Sequence, residues 1–276
     1  MHCAVIGDPI AHSLSPVLHR AGYDALGLTG WAYDAVQVPA GGLAGFLDAT
    51  GDDVRGLSVT APLKREALAA AHTVTDRARL AGGANTLVRD EDGPGWFADN
   101  TDLPGAVAAI RERWSGPLRE GVVLGGGATA ASTGLALIEL GVQRLRLAVR
   151  DPGRAAETIA ALLAHPRAPH VDVIHLTDAR AADIVVSTIP VAAQSPELVA
   201  RMSGTRVLFE VTYNTWPTPL AAAAADAGAV VVSGLDLLVH QAVLQFEMFT
   251  GQPGPLDAMR GAGEAALAAR APRQGS

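Results

Sequence analysis

Aromatic residues make up only 4% of this chain of 276 residues, and cysteine and long apolar runs are also scarce. The one cysteine, Cys3, can form neither an internal disulfide nor the paired thiolates of a zinc site, which favours a reducing compartment. No basic segment precedes an apolar one at the N-terminus, so we expect a cytoplasmic protein. The charge-free stretch 121–138 contains five glycines, and we do not expect it to span a membrane.

Charged residues are also sparse, at 18% of the chain, and acidic residues outnumber basic ones. The chain has 21 basic and 28 acidic residues, a net charge of −7, without a run of lysine or arginine. A nucleic acid or an anionic membrane is therefore not expected as a partner, and a small molecule is. The eight histidines are scattered without metal-binding spacing, so no metal site is predicted.

Glycine, by contrast, is abundant: 30 glycines and 17 prolines occur without a linker or repeat, which places them at turns and helix caps. Strand-like and helix-like segments alternate, and the alternation restarts after 115–117. This pattern predicts two α/β domains, the second with the doubly wound parallel sheet of the Rossmann type. The predicted strands are 3–7, 31–38, 55–60, a hairpin over 84–99, 121–125, 145–149, 171–176, 183–189, 206–211 and 228–233. The predicted helices are 13–27, 42–50, one beginning at Pro62, 102–114, 128–140, 153–164, 236–250 and 255–270, followed by a disordered tail.

A glycine cluster with the pattern G-x-G-x-x-A follows one predicted strand and opens the next helix. The pattern consists of Gly125, Gly126, Gly127, Ala128, Thr129 and Ala130. Glycines at these positions permit a tight turn and a close approach of the backbone to a pyrophosphate, and the small final residue lets helix and strand pack closely. A glycine-rich turn without a ligand is the alternative, but the strand before and the helix after favour dinucleotide binding.

The end of the next strand bears on the choice of cofactor. Arg150 and Arg154 suit the 2′-phosphate of NADP, because guanidinium groups match phosphate geometry. Asp151 between them suits a ribose diol, so NAD stays possible. Two solvated arginines at a strand end are the structural alternative.

Four polar clusters interrupt the otherwise apolar sequence of the first half, at 13–16, 58–64, 85–86 and 99–102. Taken singly, each has a structural explanation as a helix cap, a turn residue or a solvated lysine. Because several of them follow strands, they are expected to converge at one edge of a sheet. Lys64 and Asp102 could together relay a proton to or from a hydroxyl group of a ligand.

Six segments taken together resemble the shikimate dehydrogenase family over nearly the whole chain. They are IGDPIAHSLSP (6–16), SVTAPLK (58–64), AGGANTLV (81–88), DNTD (99–102), VLGGGATA (123–130) and SGLDLLVHQA (233–242). The resemblance implies a metal-free enzyme of aromatic amino-acid (chorismate) biosynthesis that uses NADPH to reduce 3-dehydroshikimate to shikimate. It also implies three parts: a substrate-binding catalytic domain (1–102), an NADP-binding Rossmann domain (103–234), and C-terminal helices (235–276) that pack back on the substrate domain.

The resemblance further implies a role for each matching residue. The catalytic pair is Lys64 and Asp102. The substrate carboxylate is bound by Ser13, Ser15 and Tyr213, and its hydroxyl groups by Thr60, Asn85, Asp102 and Gln241. The cofactor is bound by the loop from Gly125 to Ala130, by the phosphate clamp of Arg150 and Arg154, and by backbone at Val211 and Gly234 beside the nicotinamide.

Three departures from the family pattern leave alternatives open. Ser58 stands where many members have asparagine, and Leu103-Pro104 replaces a glycine-containing pair. Val149-Arg150-Asp151 stands where NADP-using members commonly read Asn-Arg-Thr, so an NAD-preferring quinate/shikimate dehydrogenase is the first alternative. A catalytically silent dinucleotide-binding module is the second, although a binding module has no need of a lysine-aspartate pair. The oligomeric state is left as monomer or homodimer.

Overall fold

The computed structural model describes residues 1–90 and 95–270. The predicted hairpin turn at Asp92-Gly93-Pro94 and the predicted tail 271–276 lie outside the described residues. The strands are β1 His2–Gly7, β2 Ala32–Gln37, β3 Val54–Val59, β4 Thr73–Val74, β5 Thr86–Arg89, β6 Trp96–Asp99, β7 Glu120–Leu124, β8 Arg144–Val149, β9 His170–His175, β10 Ile184–Ser187, β11 Val207–Glu210 and β12 Val230–Ser233. The α-helices are α1 Ser15–Ala25, α2 Leu43–Ala49, α3 Lys64–Ala70, α4 Asp76–Ala81, α5 Asp102–Arg113, α6 Ala128–Glu139, α7 Ala156–Leu163, α8 Pro196–Arg201, α9 Pro219–Asp226, α10 Gly234–Thr250 and α11 Leu256–Arg270.

By their internal contacts the described residues divide into two compact units. The first contains described residues of 1–75, 84–101 and 238–276, and the second contains 76–83 and 102–237. The sequence predicted that each part is one continuous segment, with boundaries after 102 and 234. It did not predict that residues 76–83 belong to the second unit. Helix α4 packs against α6 and α7, and residues 76–83 therefore belong to the second unit. Helix α11, in the first unit, packs against α1.

The sheet of the first unit has six strands in the order β2-β1-β3-β5-β6-β4. Strands β1, β2 and β3 are parallel, whereas β5 runs antiparallel to both β3 and β6. The antiparallel pairing of Thr86 with Asp99 and of Arg89 with Trp96 confirms the predicted hairpin arrangement. Its apolar core contains fully buried side chains such as Leu57, Leu63 and Leu87.

The sheet of the second unit is parallel throughout, with the order β12-β11-β10-β7-β8-β9. Read from β9, this is the doubly wound order of the Rossmann fold, so the predicted fold class is confirmed. Helices cover both faces of such a sheet, and its strands are accordingly continuous apolar runs, as Val122 to Leu124 and Ile184 to Val186 are fully buried. The order reverses between β7 and β10, the place where such sheets bind ligands.

Several short elements escaped the sequence prediction, among them β4, α4, α8 and α9. Helices α8 and α9 begin at Pro196 and Pro219, and the hydroxyl groups of Ser195 and Thr218 cap their first turns. A serine or threonine before a proline is a known helix-start signal, so these two helices could have been predicted. No helix within the described residues is both long enough and apolar enough to cross a membrane.

Candidate functional site

Ser13 and Ser15 lie where β1 leads into α1. The backbone N–H of Ser15 donates to the Ser13 hydroxyl at 3.3 Å, and Pro16 occupies the first turn of the helix. Ser15 is buried, with its side chain close to the phenol of Tyr33. The two hydroxyl groups therefore stand together at the N-terminus of α1, an electropositive place that suits a carboxylate.

Lys64 is the first residue of α3, which starts shortly after the end of β3. Its side chain is 9% exposed, a low value for lysine. Its carbonyl oxygen accepts a hydrogen bond from Ala84 N–H at 2.8 Å, which ties the start of α3 to the segment that leads into Asn85. Thr60, between β3 and α3, is anchored by its own N–H to the carbonyl of Ile6 at 2.9 Å. The structure thus places the 58–64 cluster and Asn85 close together.

Asn85 is a buried amide of the first unit. Its Nδ2 donates to Thr101 Oγ1 at 2.9 Å and to Gln241 Oε1 at 3.2 Å. Its Oδ1 accepts from Thr86 Oγ1 at 2.9 Å and from Thr101 N–H at 2.7 Å. Both predicted hydroxyl-binding amides, Asn85 and Gln241, are therefore joined directly. The bond between them is the longest of the four, which makes it the one that a ligand hydroxyl could replace at least cost.

Gln245 belongs to the same network, and the sequence prediction missed it. It is fully buried, and its Nε2 donates to the carbonyl of Asn85 at 2.8 Å and to Thr86 Oγ1 at 3.0 Å. Its Oε1 accepts from Ser58 Oγ at 2.7 Å, and Ser58 in turn accepts from the Tyr33 phenol at 2.5 Å. Gln245 lies one helical turn beyond Gln241 on α10, and this i, i+4 spacing was the signal that could have found it.

Asp102 opens α5 and is 7% exposed. The residue before it, Thr101, is fully buried and is held through both its N–H and its hydroxyl by Asn85. Asp99 lies at the end of β6, where its Oδ1 accepts from Thr75 Oγ1 and from Asn100 N–H, each at 2.7 Å. The strand end before Asp102 is consequently rigid. Helix α5 continues through Leu103 and Pro104 without a break.

The glycine loop of the second unit follows β7. Gly125 has φ +114°, and a Cβ there would collide with Thr188 Oγ1. A Cβ on Gly126 would lie 2.5 Å from the Cβ of Ala155, so this glycine is required for packing as well. Ala130 is fully buried in α6, as close packing of helix on strand requires. The structure confirms the predicted strand, turn and helix at this motif.

Gly127 is the glycine that faces open space. A Cβ there would meet nothing within 4 Å, and as the N-cap of α6 it leaves the first turn of the helix without a side-chain cap. The Thr158 hydroxyl donates to the carbonyl oxygens of Gly126 at 2.9 Å and Gly127 at 3.2 Å, which directs the loop carbonyls inward. Uncapped N–H groups beside open space fit a pyrophosphate. The residues present therefore fit a dinucleotide cofactor.

The segment after β8 carries the predicted phosphate clamp. Arg150, Asp151 and Arg154 are all exposed. The Asp151 Oδ1 accepts a hydrogen bond from Gly153 N–H at 2.9 Å, so this oxygen caps its own turn. The two guanidinium groups come from residues on either side of that turn. Their exposure suits a phosphate that approaches from solvent.

Val211 and Gly234 lie against each other in the second unit. A Cβ on Gly234 would collide with the carbonyl oxygen of Val211, so only glycine fits there. Tyr213 follows in the segment between β11 and α9 and is partly buried. Glu210, directly before Val211, is a fully buried carboxylate that the sequence analysis did not single out. Glutamate is rarely buried completely, and a lone carboxylate inside the apolar run VLFEV (207–211) was the sequence signal that was missed.

Metal ligands were not expected in this chain. Within residues 1–90 and 95–270, no group of three or more histidine, cysteine, aspartate or glutamate side chains is placed to hold a metal ion. The polar groups described above are instead amides, hydroxyls, one ammonium and a few carboxylates.

Comparison with protein-family models finds two matches in this chain. Residues 5–87 match the model of the shikimate dehydrogenase substrate binding domain. Residues 234–262 match the model of the shikimate 5′-dehydrogenase C-terminal domain. The matches contain most of the first-unit residues discussed here, including Lys64, Asn85 and Gln241.

Comparison with individual proteins extends the similarity to nearly the full length. The NADP(+) shikimate dehydrogenase of Desulfitobacterium hafniense is 34% identical over 275 residues, which cover 97% of this chain and 98% of the relative. The crystal structure of shikimate 5-dehydrogenase from Thermus thermophilus, in complex with NADP(H) and shikimate, has a TM-score of 0.85 at 28% identity and covers 96% of this chain and 99% of that one. Quinate dehydrogenase from Corynebacterium glutamicum, in complex with NAD, has a TM-score of 0.87 at 27% identity and the same coverage.

Proposed function

Because this chain belongs to the shikimate dehydrogenase family, we propose that it catalyses the reversible reduction of 3-dehydroshikimate to shikimate with NADPH, in the biosynthesis of aromatic amino acids. The balance of the reaction is one hydride from the cofactor and one proton, added to the carbon and the oxygen of a ketone. The cofactor supplies the hydride when it is bound.

The substrate is recognised by groups of complementary chemistry. Ser13 and Ser15 at the N-terminus of α1 bind its carboxylate, together with the Tyr213 phenol. Asn85 and Gln241 bind hydroxyl groups by exchanging the 3.2 Å bond between their amides for bonds to the substrate. The exchange costs little, because one polar partner replaces another. Thr60 and Asp102 complete the hydroxyl-binding set.

Lys64 delivers the proton to the oxygen of the ketone, with Asp102 as its partner in the relay. The observation that carries this assignment is the low exposure of Lys64 at the start of α3, with its backbone bonded to the segment before Asn85. A buried ammonium is an effective acid, because water does not compete with it for the substrate oxygen. A binding module without catalytic activity has no use for such a group.

NADP is the cofactor we propose, bound with its pyrophosphate at the loop from Gly125 to Ala130 and its 2′-phosphate at Arg150 and Arg154. The bond of the Asp151 carboxylate to Gly153 N–H supports this choice, since a carboxylate that caps its own turn is less able to bind a ribose diol. The similarity to an NAD-bound quinate dehydrogenase supports the second candidate, an NAD-preferring quinate/shikimate dehydrogenase.

The test measures steady-state turnover of shikimate and of quinate, each with NADP and with NAD. The absorbance of the reduced nicotinamide reports the rate. We expect the highest kcat/KM for shikimate with NADP. Preference for quinate with NAD supports the second candidate. Absence of turnover in all four combinations, in a protein that still binds the cofactor, would contradict both candidates and indicate a catalytically silent dinucleotide-binding module.

A further inference from the structure

Glu210, the last residue of β11, is a carboxylate enclosed by hydrogen-bond donors. Its Oε2 accepts from Gln194 Nε2 at 2.8 Å and from Thr218 Oγ1 at 3.0 Å. Its Oε1 accepts from Thr212 N–H at 3.1 Å, and the neighbouring Ser187 hydroxyl accepts from Gln194 Nε2 at 3.5 Å. The side chain is completely buried, and none of these partners carries a charge.

The donor directions are fixed by the rest of the network. Gln194 Oε1 accepts from Leu220 N–H at 3.1 Å, so the amide nitrogen of Gln194 must face Glu210. Thr218 Oγ1 accepts from Ala221 N–H at 3.1 Å as the cap of α9, so its hydrogen is free to point at the carboxylate. These donors converge on the two oxygens of Glu210, an arrangement that stabilises the ionised form of the carboxylate.

Burial and hydrogen bonding oppose each other at this group. Removal from water raises the pKa of Glu210 above its ordinary value, and the donors from Thr212, Thr218, Gln194 and Ser187 work in the other direction. None of these partners carries a positive charge, so the anion is balanced only by the dipoles of its hydrogen-bond donors and keeps a net negative charge.

Glu210 lies at the edge of the sheet where a doubly wound fold binds its dinucleotide. It lies at the carboxyl end of β11, in register with Ser187 at the carboxyl end of β10. In a doubly wound sheet the dinucleotide lies across the carboxyl ends of the strands, with one nucleotide over each half of the sheet. The glycine loop after β7 takes the pyrophosphate, and the half formed by β10, β11 and β12 is left for the nicotinamide. Nicotinamide is cationic when oxidised and neutral when reduced.

We propose that Glu210 sets the preference of this protein for one oxidation state of its cofactor, strengthening the binding of NADP+ relative to NADPH through the field of a buried negative charge. Glu210 acts without touching the cofactor, and it makes product NADP+ bind more tightly after reduction of the substrate. The inference rests on the proposed function only in that the chain must bind NADP(H).

The experiment compares the dissociation constants of NADP+ and NADPH for the full chain and for Glu210→Gln, which removes the charge and keeps the size of the side chain. We expect the ratio of the NADP+ to the NADPH dissociation constant to rise about three- to tenfold, the effect of one unit charge screened by a protein interior. Glu210→Asp keeps the charge, and we expect it to weaken both cofactors while leaving their ratio near that of the unaltered chain. Adenosine 2′,5′-bisphosphate, which lacks nicotinamide, should bind Glu210→Gln and the unaltered chain equally.

Equal weakening of NADP+ and NADPH in Glu210→Gln, or no change in either, would overturn the proposal and leave Glu210 a structural residue. If Glu210→Gln does not fold, the shorter pair Glu210→Asp and Glu210→Asn makes the same comparison, since the two differ only in charge. Failure of the unaltered chain to bind either form would contradict the proposed function itself. The two failures are therefore distinguishable.

Discussion

The polar site of the first unit is built from side chains, whereas the glycine loop of the second unit is built from backbone groups. In the first unit, the Asn85 side-chain amide donates to the Gln241 side chain, and the Gln245 side chain donates to the backbone carbonyl of Asn85. In the second unit, the loop at Gly127 presents backbone N–H groups beside open space. The proposed substrate would therefore have to displace existing bonds in the first unit, whereas the proposed pyrophosphate would meet preformed donors in the second. Substitutions in the side-chain network of the first unit should affect stability and function together, whereas a substitution at Gly127 should affect function alone.

The largest effect is expected from Lys64→Ala, which removes the proposed proton donor. We expect kcat to fall about 10³-fold while KM for shikimate changes less than about threefold, because loss of general acid catalysis affects the transition state more than the bound ground state. Steady-state kinetics with NADP measures both constants.

Arg65→Ala, which alters the exposed neighbouring cation, is the matched control and should keep near-normal activity. A rise in KM with kcat unchanged in Lys64→Ala would instead make Lys64 a binding residue.

Gln245→Met tests whether the side-chain network of the first unit couples stability to binding. The substitution keeps the approximate volume but removes partners of Ser58 Oγ, Thr86 Oγ1 and the Asn85 carbonyl. We expect the free energy of unfolding to fall by about 2 kcal/mol, the cost of buried polar groups that lose their partners, and the KM for shikimate to rise. Chemical denaturation and steady-state kinetics give the two values.

Gln252→Met changes the same residue type at an exposed position and should alter neither value. A normal KM in a destabilised Gln245→Met would show that the network supports the fold without organising the substrate site.

Gly127→Ala is the corresponding test of the glycine loop. The added methyl group meets no protein atom within 4 Å, and the backbone at φ −91° suits alanine, so the melting temperature should be unchanged. The methyl group would occupy the space proposed for the pyrophosphate, and we expect the dissociation constant of NADP to rise about tenfold. Calorimetry measures both quantities.

Gly30→Ala also places a methyl group in open space, away from the loop, and serves as the control. Unchanged NADP binding in Gly127→Ala would remove the glycine loop from the proposed cofactor site.

The same contrast explains how far the sequence alone could predict this molecule. The residues of the glycine loop are contiguous, and a local pattern of strand, glycine turn and helix is enough to recognise them. The sheet of the second unit could be predicted from its apolar runs, because strands buried on both faces have continuous hydrophobic sequence.

The first-unit network could be predicted only in part, because its residues are far apart in the chain. Asn85 and Gln245 meet across 160 positions, and only the fold shows that the carbonyl of one faces the amide of the other. Likewise, Glu210 follows an apolar strand in the sequence, and its enclosure by donors from Gln194 and Thr218 depends on tertiary structure. The insertion at 76–83 was missed because its short helix carries no strong local pattern and is placed by its packing on α6 and α7.

The smallest effect concerns His19, which lies beneath the side-chain network of the first unit. Its ring stacks on Tyr33 with centroids 4.2 Å apart, and it is completely buried. Burial lowers the pKa of His19 from 6.5 to about 3, so the folded chain keeps the imidazole neutral while the unfolded chain takes up a proton below pH 6.5. Stability is therefore lost as the pH falls below 6.5, and we expect a loss of about 1 kcal/mol between pH 6.5 and 5.5.

His19→Phe keeps an aromatic ring on Tyr33 and removes the titrating group, so it should abolish this part of the pH dependence. His175→Phe replaces an exposed histidine and should leave the pH dependence as it is in the unaltered chain. Urea denaturation at pH 6.5 and 5.5 measures the difference, in a range where most carboxyl groups are already ionised in both states. An equal loss of stability in His19→Phe and in the unaltered chain would show that His19 is not the group responsible. Abolition of the loss by His19→Phe alone would establish that the network of the first unit rests on a neutral aromatic core, a constraint absent from the backbone-built loop of the second.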